Sequence, residues 1–214
     1  MRLFYFIISI PYFIIANAML IISDEFRQLY FQVIRSVDIV TDELPLEYLK
    51  ILQLAEDHRN HHHFGVDQLS FFRIIFLWVF RGKKQGGSTI EQQLVRTVTN
   101  RYELTIYRKV LEQLLAVIIS TRFSKLKIAS AYLNVAYLGS GINGLECLAN
   151  KLDLNVNTDR DLLAVECVIR LKYPEPLELT PIWVNKYSVR KSHIMSLLQK
   201  TGNNCINTIY YTRL

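Results

Sequence analysis

The N-terminal stretch of this chain is long, apolar and uncharged, and it limits what the chain can fold into more than any other feature. No charged residue occurs from Leu3 to Ser23. About 20 residues are enough to cross the hydrocarbon core of a bilayer as a helix. Arg2 precedes the stretch, and Asp24 and Glu25 follow it, which favours an N-terminus in the cytoplasm. We therefore expect a membrane anchor that leaves the remainder of the chain outside the cytoplasm.

A cleaved signal peptide is the main alternative for this stretch. The tripeptide Ala-Asn-Ala at positions 16–18 fits the small-x-small pattern of a cleavage site. However, the apolar residues from Met19 to Ile22 continue beyond that site, which favours an uncleaved anchor over residues 1–23. Both interpretations place the rest of the chain outside the cytoplasm. A buried helix of a soluble protein is a third interpretation.

The composition fits one domain with a sizeable core and a basic surface. The chain has 214 residues, half of them apolar, and a net charge of +6. A basic surface favours anionic partners such as nucleic acid, acidic lipid headgroups or phosphorylated substrates, and charge alone does not choose among them. Three cysteines occur without metal-ligand spacing, and we do not expect a disulfide between Cys147 and Cys167.

The pattern of apolar residues predicts helices along most of the chain, and strand patterns are sparse, so the expected fold class is mainly α. The segment 69–80 is intensely apolar but too short to span a membrane, which indicates a helix that is buried or dips into the membrane interface. Glycines at 82–87 end it, and Ser88 or Thr89 is suited to cap the next helix. In the helix at 108–122, an apolar stripe is formed by Val110, Leu114, Val117 and Ile118. The helix capped by Ser88 or Thr89 continues to about Val98, and the other predicted helices cover residues 46–53, 125–135 and 161–171.

Several polar and glycine-rich blocks follow the apolar stretch in a fixed order. They are Glu56-Asp57-x5-His63-x-Gly65-x-Asp67, Gly86-Gly87-Ser88-Thr89-Ile90-Glu91-Gln92-Gln93-Leu94, Arg108-Lys109-x-x-Glu112, Tyr132-Leu133-Asn134-x-x-Tyr137-x-Gly139-x-Gly141-x-x-Gly144 and Arg190-x3-Ile194-Met195-x2-Leu198. This ordered set resembles the peptidoglycan glycosyltransferases, which polymerise lipid II into glycan strands. The resemblance covers roughly residues 45–200.

The resemblance implies a fold, a domain organisation and partners. The implied fold is a lysozyme-like α fold with a second, smaller lobe near the membrane. We expect an anchor at 1–23, a juxtamembrane segment at 24–44 and a glycosyltransferase domain at 45–214. The implied partners are lipid II, the growing glycan strand, the cytoplasmic membrane and cell-wall synthesis proteins, and not nucleic acid.

Two carboxylates are the implied catalytic groups. Without the resemblance, Glu56 would be interpreted as a solvated loop glutamate. With it, Glu56 is the general base that deprotonates the acceptor hydroxyl. Glu112 is the second active-site acid, near the donor pyrophosphate. It could act by electrostatics, by assisting the leaving group or by holding a divalent cation, Mg²⁺ or Mn²⁺.

The other implied site residues bind the substrate or shape the site. A pyrophosphate leaving group requires cations that stabilise developing negative charge. Amides and hydroxyls supply hydrogen bonds, and tyrosines stack or donate. The implied substrate-binding residues are Asp57, His63, Ser88, Thr89, Gln92, Gln93, Arg96, Arg108, Lys109, Tyr132 and Asn134, with Asp67 supporting them.

The three consecutive histidines at 61–63 also suggest a zinc site. Zinc requires further His or Cys ligands at suitable spacing, and the sequence has none. We therefore predict no resident metal at these histidines.

The chain departs from the family pattern at several positions. Asn60 stands in place of the usual Phe, and Ser130 in place of a common Glu. Glu91 replaces the usual Thr, which puts a negative charge near a site that must bind phosphates. Leu104 stands where many members carry an Arg, and Arg101 is a candidate substitute. These changes indicate a divergent member and bear on its efficiency and substrate more than on its class.

Three other functions are weighed against a monofunctional, inverting glycosyltransferase. A lysozyme or lytic transglycosylase shares the fold class, but a hydrolase does not need the cation-rich second and third blocks. A non-catalytic, membrane-anchored module that binds lipid II or a partner is suggested by the substitutions. A bifunctional penicillin-binding protein is not expected, because Ser188-x-x-Lys191 is not followed by the other transpeptidase motifs.

Overall fold

The computed structural model describes residues 1–70, 73, 80 and 86–201. The described chain is mainly helical and has almost no strands, which confirms the prediction of a mainly α fold. Its longer elements are the helices α1 (Arg2–Ile22), α2 (Asp24–Asp38), α3 (Leu46–Glu56), α4 (Ile90–Thr99), α5 (Ile106–Arg122), α6 (Lys125–Val135), α7 (Leu145–Leu152), α8 (Arg160–Lys172) and α9 (Pro181–Lys200), with a short antiparallel pair of strands, β1 (Tyr137–Gly139) and β2 (Ile142–Asn143).

The chain divides into two compact units. Unit 1 comprises Met1–Glu43 and Asp57–Tyr132, and unit 2 comprises Leu44–Glu56 and Leu133–Leu214. Most of the predicted site residues therefore fall in unit 1, whereas Glu56 and Asn134 fall in unit 2.

Helix α1 has the length and composition of a membrane span. Its mean hydropathy is 2.1 over an 18-residue window, and only a narrow stripe is buried. That stripe packs along α5 of unit 1. The Tyr5 hydroxyl donates to Asp67 Oδ1 at 2.7 Å, and Gln68 Nε2 donates to Ser9 Oγ at 3.1 Å. One face of α1 thus packs against the rest of unit 1, while most of its large apolar side chains are exposed.

Helix α2 follows directly and is amphipathic. Ser23 lies between the two helices, and its hydroxyl accepts from the Phe26 amide at 3.2 Å, which caps α2. Phe26 and Val33 face the core and are fully buried. The residues expected to form a juxtamembrane segment are therefore largely helical.

The N-terminus of α4 is fixed by a capping box. The Thr89 hydroxyl accepts from the Gln92 amide, and the Gln92 side chain accepts from the Thr89 amide. Thr89 Oγ1 also donates to the Gly65 carbonyl at 2.6 Å, which ties this helix start to the preceding loop. Of the two candidate caps, Thr89 is therefore the one that caps the helix.

Helix α5 begins two residues before the predicted start, because Thr105 caps it by accepting from the Arg108 amide. Leu114, Val117 and Ile118 are buried as the apolar stripe predicts. The prediction was wrong for Val110, which is 45% exposed and does not belong to the buried stripe. The buried face of α5 instead begins at Leu111.

Unit 2 is built on the packing of α3 against α8. Tyr48 and Leu52 of α3 are buried there with Leu163 of α8. The strand pair lies beside α8. Gly139 allows the Glu175 backbone to approach closely, because a Cβ built on Gly139 would lie 2.5 Å from the Glu175 carbonyl oxygen. This packing sets the position of the α3 C-terminus, where Glu56 lies.

Several predictions fall partly or wholly outside the described residues. The predicted apolar helix at 69–80 and the glycine-rich loop at 82–87 lie mostly outside them, as does Cys205. Cys147 and Cys167 are described, and both are free thiols, as expected.

Candidate active site

Glu112 is a buried carboxylate surrounded by cations. Its side chain is 3% exposed, and it accepts from Arg96 Nε at 3.1 Å and from Arg96 Nη2 at 3.2 Å. Arg108, one turn earlier on α5, also donates to it, as does the Lys109 ammonium. Three cationic side chains thus share one carboxylate, which leaves the cluster with an excess of positive charge.

Polar residues at the start of α4 join this cluster. Ser88 Oγ accepts from Arg96 Nη2 at 2.9 Å and from Lys109 Nζ at 3.2 Å. Gln92 Oε1 accepts from Lys109 Nζ at 3.3 Å. Burial lowers the pKa of Lys109 below its ordinary value, although the Glu112 carboxylate acts in the opposite direction. The structure therefore brings five predicted substrate-binding residues together around Glu112: Ser88, Gln92, Arg96, Arg108 and Lys109.

The geometry follows from two packed helices. Helices α4 and α5 contact each other, so Arg96 near the end of α4 reaches Glu112 in the middle of α5. Arg108 and Glu112 are four residues apart, which places them on one face of α5. With its positive excess, this arrangement can bind an anion or stabilise negative charge that develops on a leaving group.

A second polar cluster in unit 1 centres on Asp57 and His63. His63 Nε2 lies 3.0 Å from Asp57 Oδ2, and the His63 side chain is fully buried. The same Asp57 oxygen accepts from the Ile90 amide at 3.2 Å, at the first residue of α4. Asp57 and His63 therefore support the start of the helix that carries Gln92 and Arg96.

Two of the departures from the family pattern meet in this second cluster. Asn60 Nδ2 donates to Asp57 Oδ2 and to Glu91 Oε1, both at 3.2 Å. Lys125 Nζ donates to Glu91 Oε1 at 2.5 Å and to the His63 carbonyl oxygen at 3.0 Å. Burial alone would raise the pKa of the Glu91 carboxyl, but the Lys125 ammonium and hydrogen bonds to the carboxylate act in the opposite direction, so the pKa lies below its ordinary value.

The environment of Glu91 bears on one expectation from the sequence. We expected Glu91 to put a negative charge near the phosphate-binding residues. Its side chain is completely buried and paired with Lys125, so its charge is matched inside unit 1. Sequence reasoning missed Lys125, because no local pattern relates it to Glu91, which lies 34 residues away in the chain.

The other departures have separate surroundings. Leu104 is 99% exposed and precedes the start of α5. Arg101, the candidate substitute for the missing arginine, donates to Glu25 Oε1 at 2.5 Å. Ser130 is buried, and its hydroxyl donates to the Leu126 carbonyl one turn earlier on the same helix at 2.9 Å.

Two further predicted residues lie near the end of α6. The Tyr132 hydroxyl donates to Gln93 Oε1 at 2.6 Å, so these two predicted residues contact each other in unit 1. Asn134 lies in unit 2 and is exposed. Its carbonyl oxygen would lie 2.3 Å from a Cβ built on Gly144, which has φ +81°, so a glycine is required there.

In unit 2, Glu56 is the last residue of α3 and is paired with an arginine. Arg190 Nη2 of α9 donates to Glu56 Oε1 at 2.6 Å and to the Ala55 carbonyl oxygen at 3.1 Å. The sequence indicated that α9 packs the domain together, but it did not indicate that Arg190 contacts Glu56. A cation at this position is favourable because the last carbonyls of a helix lack partners within the helix.

The residues around the carboxylates bear on metal binding. Within the described part of unit 1, ligand atoms of Asp57, His63 and Glu91 lie within 4.8 Å of one another. Asn60 and Lys125 already occupy the Glu91 oxygens, so this group is internally matched. Glu112 is likewise shared by three cations, whereas Mg²⁺ ordinarily takes several oxygen ligands, so we derive no step through a metal ion.

A helical chain with a buried carboxylate, a surrounding cation cluster and a capped helix start fits the transglycosylases. Residues 25–159 match the sequence model of the transglycosylase family, and the chain belongs to that family. This match confirms the resemblance inferred from the motifs and the lysozyme-like α fold that it implied.

Several penicillin-binding proteins are similar to this chain. It is 30% identical to penicillin-binding protein 1F of Bacillus subtilis over 84% of its own length, and 37% identical to penicillin-binding protein 1A of Escherichia coli over 78%. It is 40% identical to penicillin-binding protein 1A of Aquifex aeolicus over 50% of its length. The matched regions make up 25%, 20% and 15% of those relatives, respectively, so the chain corresponds to a minor part of each.

Proposed function

We propose that this chain is a peptidoglycan glycosyltransferase of cell-wall synthesis. It would polymerise lipid II into β-1,4-linked glycan strands and release undecaprenyl pyrophosphate. The observation that carries the proposal is the excess of positive charge around Glu112, where Arg96, Arg108 and Lys109 converge. A polymerase with a pyrophosphate leaving group needs such a site, whereas a glycan hydrolase does not.

The proposed reaction is a single displacement with inversion. The Glu56 carboxylate removes the proton from the 4-hydroxyl of the acceptor GlcNAc. The resulting oxygen attacks the anomeric carbon of the donor MurNAc, and a new C–O bond forms as the bond to the pyrophosphate breaks. The electron pair of that broken bond leaves with the pyrophosphate, so an α-linked donor yields a β-linked product.

Within this mechanism, the cation cluster stabilises the leaving group. Arg96 and Arg108 are planar donors suited to phosphate oxygens, and Lys109 adds a compact charge. We assign Glu112 the role of holding these cations in place, because it already accepts from each of them. Ser88 and Gln92 would fix the Lys109 ammonium through the hydrogen bonds described above.

We further propose that α1 attaches the protein to the cytoplasmic membrane, with the catalytic residues on the extracytoplasmic side. The length and hydropathy of α1 support attachment. Its apolar side chains Leu3, Ile14 and Ile22 are more than half exposed, which leaves them available to lipid. Growing glycan strands and other cell-wall synthesis proteins are the proposed partners.

The test is polymerisation of labelled lipid II by the full chain in detergent. Wild type, Glu56→Gln and Glu112→Gln should be compared by gel separation of the products, each with and without Mg²⁺ or Mn²⁺. We expect a ladder of glycan strands from wild type and none from Glu56→Gln. Arg160→Gln is a suitable control, because Arg160 lies at the start of α8 and its side chain is 47% exposed.

A non-catalytic lipid II-binding module is the second candidate. The exposed Leu104 favours it, because that position carries no charge for the pyrophosphate. Wild-type protein that binds labelled lipid II without forming a ladder would support this candidate. In that case, Leu104→Arg becomes the first substitution to test for restored polymerisation.

A further inference from the structure

Helix α9 of unit 2 brings a buried arginine to the proposed base. Arg190 is 7% exposed and lies in the middle of α9. Its Nη2 atom donates to Glu56 Oε1 at 2.6 Å and to the Ala55 carbonyl oxygen at 3.1 Å. A single nitrogen therefore contacts both the side chain of Glu56 and the backbone immediately before it.

These two contacts constrain where the carboxylate points. Glu56 is the last residue of α3, so its side chain lies where the helix ends. The Ala55 carbonyl belongs to the helix backbone and gives the guanidinium a fixed reference. Because the same nitrogen also donates to Oε1, the Glu56 carboxylate is held relative to the end of α3.

The charge of the arginine acts on the same carboxylate. A buried guanidinium is unfavourable unless it is paired, and pairing favours the ionised form of its partner. Arg190 Nε is buried and has no hydrogen-bond partner among the described residues. The Glu56 carboxylate thus supplies the countercharge that this arginine needs, and the arginine in turn favours a deprotonated Glu56.

We propose that Arg190 is a positioning residue for the reaction: it keeps Glu56 ionised and oriented to accept the proton of the acceptor hydroxyl. This inference rests on the proposed function, in which Glu56 is the general base. Arg190 touches no reacting atom in this scheme, so it acts only through Glu56.

The test is the pH dependence of kcat/KM for labelled lipid II with wild type, Arg190→Gln and Arg190→Lys. Removing the positive charge makes Glu56 easier to protonate, so the acidic limb should move to higher pH in Arg190→Gln. We expect kcat/KM at neutral pH to fall by about tenfold or more, with most of the loss in kcat. Arg190→Lys keeps the charge but not the planar donor geometry, so its acidic limb should stay near that of wild type while kcat falls.

Controls separate positioning from a loss of folding. Arg160→Gln removes an exposed arginine of the same unit and should leave the whole pH profile unchanged. Thermal unfolding of each variant reports any loss of fold, and Arg190→Lys keeps the test usable if Arg190→Gln does not fold. A merely structural arginine would lower the rate equally at every pH, and that outcome would overturn the inference.

Failure of the proposed function has a different signature. If wild type forms no glycan strands, or if Glu56→Gln forms them normally, the assignment of Glu56 as the base is wrong and the inference falls with it. If wild type is active and Glu56→Gln is inactive, but the acidic limb is the same in wild type and Arg190→Gln, only the role of Arg190 is overturned.

Discussion

The charge of the cation cluster depends on pH because the Lys109 ammonium can lose its proton. The pKa of Lys109 lies below its ordinary value because its side chain is largely buried. If the ammonium stabilises the leaving pyrophosphate, activity requires its protonated form. We therefore expect kcat/KM to fall on the alkaline side at a lower pH than an ordinary lysine would give. Lys109→Arg should move this alkaline limb to higher pH, because arginine stays charged.

Initial rates with labelled lipid II over a series of buffers would measure this limb. Lys127→Arg is the matched control, since Lys127 lies over the Phe123 ring and outside the cluster. An alkaline limb that is identical in wild type and Lys109→Arg would contradict the role of Lys109 in leaving-group stabilisation.

Lys125 carries a prediction about stability. It pairs with the completely buried Glu91 carboxylate, so Lys125→Met would leave that charge without its cation. Breaking a buried ion pair by removing one partner costs about 3 to 5 kcal/mol of unfolding free energy. Lys127→Met, two residues further along α6, should cost much less because that side chain lies over a ring instead. Urea denaturation in detergent measures both.

The same pair gives a pH dependence with a definite sign. The folded-state pKa of Glu91 lies below its ordinary value, so its ionisation stabilises the fold above that ordinary value. This contribution is lost as the pH falls through the lowered folded-state pKa. A double variant, Lys125→Met with Glu91→Leu, should recover part of the stability and remove this acid dependence. A double variant less stable than Lys125→Met alone would contradict the pairing.

At the scale of elements, Gly65 allows the loop that contains it to pack closely against α5. Its φ is +85°, and a Cβ built there would lie 2.2 Å from the Ala116 carbonyl oxygen. Gly65→Ala should therefore cost both backbone strain and a displacement of α5. Gly141→Ala is the matched control, because Gly141 has φ +74° with open space around it and should cost only the strain, about 1 to 2 kcal/mol. Equal losses of unfolding free energy in the two variants would show that the close approach to α5 does not matter.

A second prediction at this scale concerns helix α1. The Tyr5 hydroxyl contacts Asp67, whereas a helix crossing the bilayer outward from its N-terminus would place Tyr5 roughly 25 Å from the outer surface. Cysteines at both positions, in a chain whose native cysteines are replaced, should be joined by a short bis-maleimide if the contact persists in membranes. Ile14→Cys with Asp67→Cys is the control, since Ile14 is 62% exposed. No cross-link with Tyr5→Cys would favour a span detached from Asp67 and the rest of unit 1.

At the scale of the whole molecule, the sequence predicted what local spacing determines. The helical period predicted most of α5, and the four-residue spacing of Arg108 and Glu112 predicted that they share a face. Thr89 was one of two predicted caps because a hydroxyl before an apolar run is a local signal. These features depend on neighbours within one or two helical turns, so they can be predicted from the sequence without knowledge of the tertiary structure.

Contacts between distant parts of the chain could not be predicted in this way. Lys125 and Glu91 are 34 residues apart, and Arg190 and Glu56 are 134 apart. No periodic pattern relates such positions, because the packing of separate helices decides which side chains meet. For that reason the sequence could not show that Lys125 matches the charge of Glu91 inside unit 1.

The buried pair of Glu91 and Lys125 also means that these two positions cannot be exchanged independently. A chain with the acid alone would carry an unmatched charge in its core, whereas a lysine alone at the partly exposed first residue of α6 would be tolerated. Asn60 belongs to the same set, because its amide binds the Asp57 and Glu91 carboxylates. Transplanting Glu91 into a related domain would therefore require Lys125 and Asn60 to be carried with it.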